Sequence, residues 1–209
     1  MSAVKLKEQY ISIEEYLAFE EKSEAKHEYE NGQIFAMSGG TPNHAFIGSS
    51  TVSALRNALK AKGSKCRVSG SELKIHIEKY NSFVYPDAMV ICGELEMKGK
   101  DAIKNPLLII EVLSESTASY DRGKKFKKYI SLPSFVEYVL IEQDQPVVHA
   151  YHRKTEQGTG RKDWTMRFAY GLEEKIYLES IDCEIALADI YEYVDFPEGQ
   201  GIQGELFNG

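Results

Sequence analysis

Asn105-Pro106-Leu107-Leu108-Ile109-Ile110-Glu111-Val112-Leu113-Ser114 is the stretch that decides the fold of this chain. Apolar residues fill both alternating sets, and Asn105-Pro106 and Ser114 bound the run, so it predicts a strand buried on both faces. Glu111 interrupts it. A carboxylate inside such a strand is costly unless it is paired or holds a metal, and its sequence neighbours supply no partner. A divalent cation is the partner this placement predicts.

Upstream, Ser82-Phe83-Val84-Tyr85-Pro86-Asp87-Ala88-Met89-Val90-Ile91-Cys92 is a second strand candidate. Pro86 lacks an amide hydrogen, so an edge, a bulge or a strand start is expected there, aiming Asp87 at the mouth of the sheet. The 93–104 loop is long enough to lay the two strands side by side. Asp87 and Glu111 would then suit a hard cation, magnesium or manganese, with water and a substrate phosphate completing its shell. The competing reading is two unrelated acids, one of them in an ordinary ion pair.

A helix follows Glu111, with Ser116 or Thr117 as its cap and Phe126, Tyr129 and Ile130 at i, i+3 and i+4 as its sheet-facing stripe. At ~100° per residue, Lys125 falls about 40° from Tyr129 and is the lysine best set to reach sheet-borne acids. There it could polarise an attacking water and offset charge building on a phosphorane-like transition state. Lys124, Lys127 and Lys128 read instead as a solvated face, and with Arg122 and Lys125 they form a positive ridge.

These residues resemble a known family. Tyr85-Pro86-Asp87, Glu111-Val112-Leu113-Ser114, and Thr117 with Tyr120-Asp121-Arg122-Gly123-Lys124-Lys125-Phe126-Lys127-Lys128-Tyr129 resemble the Uma-two-type restriction endonucleases, once catalogued as a domain of unknown function. Glu28-Tyr29-Glu30-Asn31-Gly32-Gln33-Ile34-Phe35-Ala36-Met37-Ser38 and Gly40-Thr41-Pro42-Asn43-His44 are similar to that family's other two motifs. The resemblance spans roughly residues 10 to 151. It implies the α+β fold of the PD-(D/E)XK nuclease superfamily, a mixed sheet flanked by helices. It also implies Asp87 and Glu111 as metal ligands, the carbonyl of Val112 as a further one, and Glu28 as an additional acid. One position departs from the superfamily signature, because Leu113 stands where its lysine is expected. In the resembling family a lysine from the following helix substitutes, and the matching residue is Lys125, which the helical geometry selects independently. The motif also carries a histidine at the place of His44, which otherwise reads as a helix-start residue bonded to the nearby loop.

The remaining features bound the function. A chain of 209 residues with 43% hydrophobic content supports one domain, expected over 1–195, with a loosely ordered tail over 196–209. No apolar leader and no run long enough to span a bilayer is present, so a cytoplasmic protein is expected. Cys66, Cys92 and Cys183 are odd in number and widely spaced, which reads as free thiols. A net charge of −7 argues against coating DNA by bulk electrostatics, so binding must rest on local charge. The ridge at 122–128 and a second group, Lys60, Lys62, Lys65 and Arg67, are candidates to flank a groove.

Ser12 with Glu15 marks a capping box that opens a helix to about Glu20, and Asn31-Gly32 marks a hairpin within 28–37. Asn43 is a candidate cap for a helix running to about Lys62, with strands at 66–68 and 73–77 after it. Downstream, 135–142 and 146–153 read as a hairpin, 155–163 as a loop, 164–170 and 175–178 as strands, and 185–193 as a terminal helix. His149 and His152 fall on opposite faces of their strand, and His27 and His76 have no partner at ligand spacing. The expectation is a metal-dependent endonuclease acting on DNA, a homodimer by analogy with double-strand cutting. The alternatives are an inactive nuclease-fold module that binds nucleic acid or protein, and a dimer whose acids merely pair with Lys125.

Overall fold

Pro86 divides its strand in two. In the computed structural model, which describes residues 4–5, 10–37, 39–155 and 162–196, Ser82–Val84 and Ala88–Ile91 are separate strands. They belong to different sheets, and Tyr85, Pro86 and Asp87 carry the chain across. Among the described residues one sheet has seven strands, ordered Val4–Lys5, Gln33–Ala36, His27–Glu30, Ser82–Val84, Lys74–Ile77, Ala102–Ile103, Met97–Lys98. The other has six, ordered Lys162–Tyr170, Val147–Thr155, Glu137–Glu142, Leu108–Leu113, Ala88–Ile91, Arg67–Gly70. A small ribbon pairs Lys175–Leu178 with Cys183–Ala186.

Leu108–Leu113 lies inside the six-stranded sheet, parallel to Glu137–Glu142 and antiparallel to Ala88–Ile91, so the sheet is mixed. All six of its residues are buried, as the two-sided apolar pattern requires. On one face Leu108, Ile110 and Val112 pack in a core with Ile47, Leu55 and Leu59 of the helix Pro42–Ala61. On the other, Ile109 and Leu113 join Tyr129, Leu132 and Phe135, together with Ile75, Ile77 and Val84 of the second sheet. Burying each such side chain contributes about 1.5–3 kcal/mol, so the five apolar residues of the strand offset the several kcal/mol that desolvating Glu111 costs. Alternation sets Glu111 on the face of Ile109 and Leu113, beneath the helical stretch 118–129. The architecture is the mixed α+β one expected, with sheets flanked by helices.

Local signals hold at several places. Ser12 and Glu15 form a reciprocal capping box on Ile13–Glu20, and the 27–36 hairpin turns at Asn31 and Gly32, both with positive φ. The long helix differs in its cap, which is Thr41 rather than Asn43. Pro42 takes the first helical position, where its missing N–H costs nothing, and the Thr41 side chain accepts from the His44 N–H. The expected terminal helix at 185–193 shrinks to Leu187–Ile190, because Cys183–Ala186 alternates buried and exposed residues and pairs as a strand. Two of the three cysteines are not free. Arg67 pairs with Ile91 across an antiparallel ladder, so Cys66 faces Cys92 and the two form a disulfide, whereas Cys183 is a buried thiol. Phe196 stacks edge-on against Tyr191, and the rest of the expected tail lies outside the described residues, as does the centre of the 155–163 loop.

Candidate active site

The helical stretch 118–129 is not one regular helix. A π turn over Asp121–Lys125 separates Ala118–Tyr120 from Phe126–Tyr129, a geometry that recurs at functional sites. Its buried arc comprises Asp121, Lys125, Lys128 and Tyr129, while Ile130 is exposed. Of the expected stripe, Phe126 and Tyr129 pack into the core, but Ile130 does not, and the arc shifts toward Lys125. Lys128, expected in solvent, is buried with its ammonium 3.1 Å from Glu30 and 3.3 Å from the Tyr120 hydroxyl. Thr117 takes the N-cap position, one of the two expected, but its side chain makes no capping bond; the Ser114 hydroxyl accepts the Thr117 N–H at 3.2 Å.

All four side chains selected from the sequence meet here. Lys125 Nζ donates to Glu111 Oε2 at 2.9 Å and to the Tyr85 carbonyl at 3.1 Å, and lies 3.7 Å from Glu28 Oε1. Glu111 Oε1 accepts from the Tyr129 hydroxyl at 2.7 Å. Asp87 Oδ2 accepts the Val112 N–H at 2.6 Å and faces His44 Nε2 at 3.3 Å. Glu28 is held by the Tyr85 N–H at 3.2 Å and the Tyr120 hydroxyl at 3.3 Å. The pieces come from different layers: Glu28 from the seven-stranded sheet, Glu111 from the six-stranded one, Asp87 from the crossing between them. A cleft of about 890 Å³ opens onto them, rimmed by Ser116, Ser119, Lys124 and Lys127.

Two participants, Asp121 and Tyr129, escape the sequence reading as site residues, and a third, His44, has there only a local alternative. Asp121 Oδ1 lies 3.5 Å from Lys125 Nζ, and its i, i+4 spacing was the available signal. Tyr129 was assigned only to packing. His44 bonds the site itself, facing Asp87, and not merely the nearby loop. The second basic group does not flank the cleft. The helix that begins beside Asp87 with His44 ends at Ala61, about 25 Å away at 1.5 Å per residue, and there Lys62 pairs with Asp182.

One ammonium cannot neutralise four carboxylates. Burial, helped by Asp121 and Asp87, pushes the Glu111 carboxyl well above its usual range despite the opposing pull of Lys125. Burial also raises Asp121. Burial opposes the Lys125 charge, but Glu111, Glu28, Asp121 and Asp87 together hold it protonated far above the ordinary lysine range. His44 is raised as well, because Asp87 and the Val112 backbone outweigh its burial. Lys128 is already committed to Glu30. The cluster is thus short of positive charge, and its donors are oxygens, the set a hard divalent ion takes. Among the described residues no three His, Cys, Asp or Glu side chains converge as a ready-made metal cage. In this structure the Lys125 ammonium is the cation among the oxygens.

The family model Uma2, described as "Putative restriction endonuclease", matches residues 13–179. The chain belongs to the Uma2 family. Two proteins of Synechocystis sp. are similar to this Uma2 chain. Uncharacterized protein slr1290 is 37% identical over 89% of this chain and 94% of its own length. Uncharacterized protein sll1609 is 30% identical over 79% and 91%. A crystal structure from Anabaena variabilis, described as "a putative nuclease belonging to DUF820", superposes with a TM-score of 0.64 at 18% identity, covering 87% of this chain and 98% of its own. The Uma2 chain thus shares a nuclease fold. No helix among its described residues is long and apolar enough to cross a membrane.

Proposed function

We propose that this Uma2 protein is a metal-dependent endonuclease that hydrolyses phosphodiester bonds in DNA. The observation that carries the reading is that Glu111 and Glu28 both face Lys125 in a cleft that Asp87 also lines. Asp87, Glu111 and the Val112 carbonyl are the groups to hold magnesium or manganese. A bound ion there would supply Lewis acidity to the scissile phosphate and lower the pKa of a water. Lys125 holds the attacking water and offsets charge developing on the phosphate. Tyr129 fixes the Glu111 carboxylate, and Glu28 keeps Lys125 charged. Lys124 and Lys127 at the rim meet the backbone phosphates, which gives a net-negative protein a local grip on DNA. A closed two-fold pair would cut both strands. We assign the enzyme to the cytoplasm, where DNA is available; the Cys66–Cys92 bridge argues the other way, since that compartment keeps thiols reduced.

A second reading, an inactive nuclease-fold module, draws on the direct Lys125–Glu111 contact. An ammonium lodged among the acids is also how a purely structural ion pair looks. Against it, Glu28 and Asp87 keep partial exposure to the cleft, and the cluster holds more carboxylates than one lysine offsets.

The deciding experiment incubates the protein, Lys125→Ala and Asp87→Ala with plasmid and single-stranded DNA, with magnesium or manganese and with a chelator. Nicking that requires metal and disappears in both variants is expected. No cleavage of any substrate would transfer the assignment to the inactive module.

A further inference from the structure

Beyond the four side chains assigned a role in the site, His44 faces Asp87 directly. Its Nε2 lies 3.3 Å from Asp87 Oδ2, and His44, Asp87 and Val112 line the same cleft. Two ligands in cis positions around one octahedral ion stand roughly 3 Å apart, given metal–ligand distances near 2.1 Å. His44 Nε2 and Asp87 Oδ2 have about that separation.

The surroundings fix the ring. Thr41 accepts the His44 N–H through Oγ1 at 3.2 Å and donates from the same hydroxyl to Gln143 Oε1 at 2.9 Å, tying the start of the helix to the end of the Glu137–Glu142 strand. Gly40 lies over the opposite edge of the imidazole, where an added Cβ would stand 2.9 Å from Nδ1. The Nδ1 edge is thereby covered by backbone, and Nε2 is left facing Asp87.

We infer that His44 is a nitrogen ligand of the same metal centre, completing a facial set with Asp87 and the Val112 carbonyl and selecting manganese over magnesium. The inference rests on the metal-dependent reading above. Its chemical basis is that an imidazole nitrogen binds first-row transition ions better than magnesium, which prefers oxygen. Carboxylate and carbonyl donors alone would give no such preference.

The test needs no substrate. Manganese and magnesium are titrated into the unmutated protein, His44→Ala and His44→Gln by calorimetry, and the manganese-loaded forms are examined by electron spin-echo modulation for coupling to an imidazole nitrogen. The expected result is nitrogen modulation in the unmutated protein only. Manganese affinity should fall in both variants by at least the roughly tenfold that loss of an outer-sphere partner costs, and magnesium affinity less. His44→Gln can still hydrogen-bond Asp87, so a glutamine variant that keeps the manganese preference would reduce His44 to a positioning residue. Manganese bound without nitrogen modulation would also overturn the inference while leaving the nuclease reading intact. Binding of neither ion at millimolar concentration would remove both together. If both variants unfold, ¹⁵N-histidine labelling of the unmutated protein decides, because it alters the modulation only when a histidine is a ligand.

Discussion

Lys125 Nζ reaches Glu111 Oε2 at 2.9 Å from a π turn laid across the middle of the six-stranded sheet, and both side chains are buried. Removing one partner of such a pair leaves the other charge stranded. Lys125→Met is expected to cost about 3–5 kcal/mol at neutral pH, read from urea unfolding. Adding Glu111→Gln should restore much of that loss. A double variant whose loss equals the sum of the Lys125→Met and Glu111→Gln losses would show that the two groups are not coupled.

Tyr129→Phe deletes a 2.7 Å hydrogen bond to Glu111 without changing the packing of the ring. A bond to a charged group contributes about 1.5–3 kcal/mol, so a loss in that range is expected, together with weaker metal binding because Glu111 Oε1 loses the donor that orients it. Unchanged stability and affinity would assign Tyr129 to packing alone.

Acid should weaken the protein through two histidines that do not line the cleft. Burial, with Lys98 adding to it, depresses His76 below its ordinary 6.5, and burial with Arg122 does the same to His149. Their Nδ1 atoms are buried without a hydrogen-bond partner. In the window below 6.5 the unfolded chain takes up protons that the folded chain refuses. Stability from these groups is therefore complete above pH 6.5 and is lost as pH falls, with at most one proton per histidine. His76→Phe, stacked on Phe83 like the native ring, should flatten that slope in urea titrations at stepped pH.

The Cys66–Cys92 bridge closes a loop with a sequence separation of 26. Chain-entropy arithmetic assigns it about 3 kcal/mol, so dithiothreitol should lower the unfolding midpoint, and a Cys66→Ser, Cys92→Ser double variant should match the reduced protein. Two free thiols in the oxidised, denatured chain beyond Cys183 would refute the pairing.

Gly40→Ala should act on the site without touching any carboxylate. Its Cβ would press on His44 Nδ1, and the ring must turn away from Asp87. Metal affinity should drop while the melting temperature changes little. The reverse pattern would show that the loop, and not the ring, gives way.

Much of this molecule is written locally. The two-sided apolar run at Leu108–Leu113, the Asn31-Gly32 turn, the Ser12–Glu15 box and the placement of Lys125 all follow from periodicity or side-chain chemistry within a few residues. What escaped depends on partners far along the chain. The crossing at Pro86 is visible as an irregularity, but that it joins two sheets depends on pairings with Tyr29 and Leu108. Cys66 meets Cys92 only through strand register, and His44 meets Asp87 only because a helix end and a strand start share one edge. Lys128 differs from its solvated reading because the buried arc takes in Lys125, Lys128 and Tyr129 and leaves Ile130 exposed.

The crossing at Tyr85, Pro86 and Asp87 also makes the centre a record of complete folding. Glu28 arrives with one sheet and Glu111 with the other, while Tyr85 donates its amide hydrogen to the first and accepts from Lys125 through its carbonyl. A chain that has built only one sheet holds only part of the acidic set. Cutting power of this kind would be withheld from nascent and damaged copies, since the reactive arrangement does not exist until both halves of the molecule have closed on the same three residues.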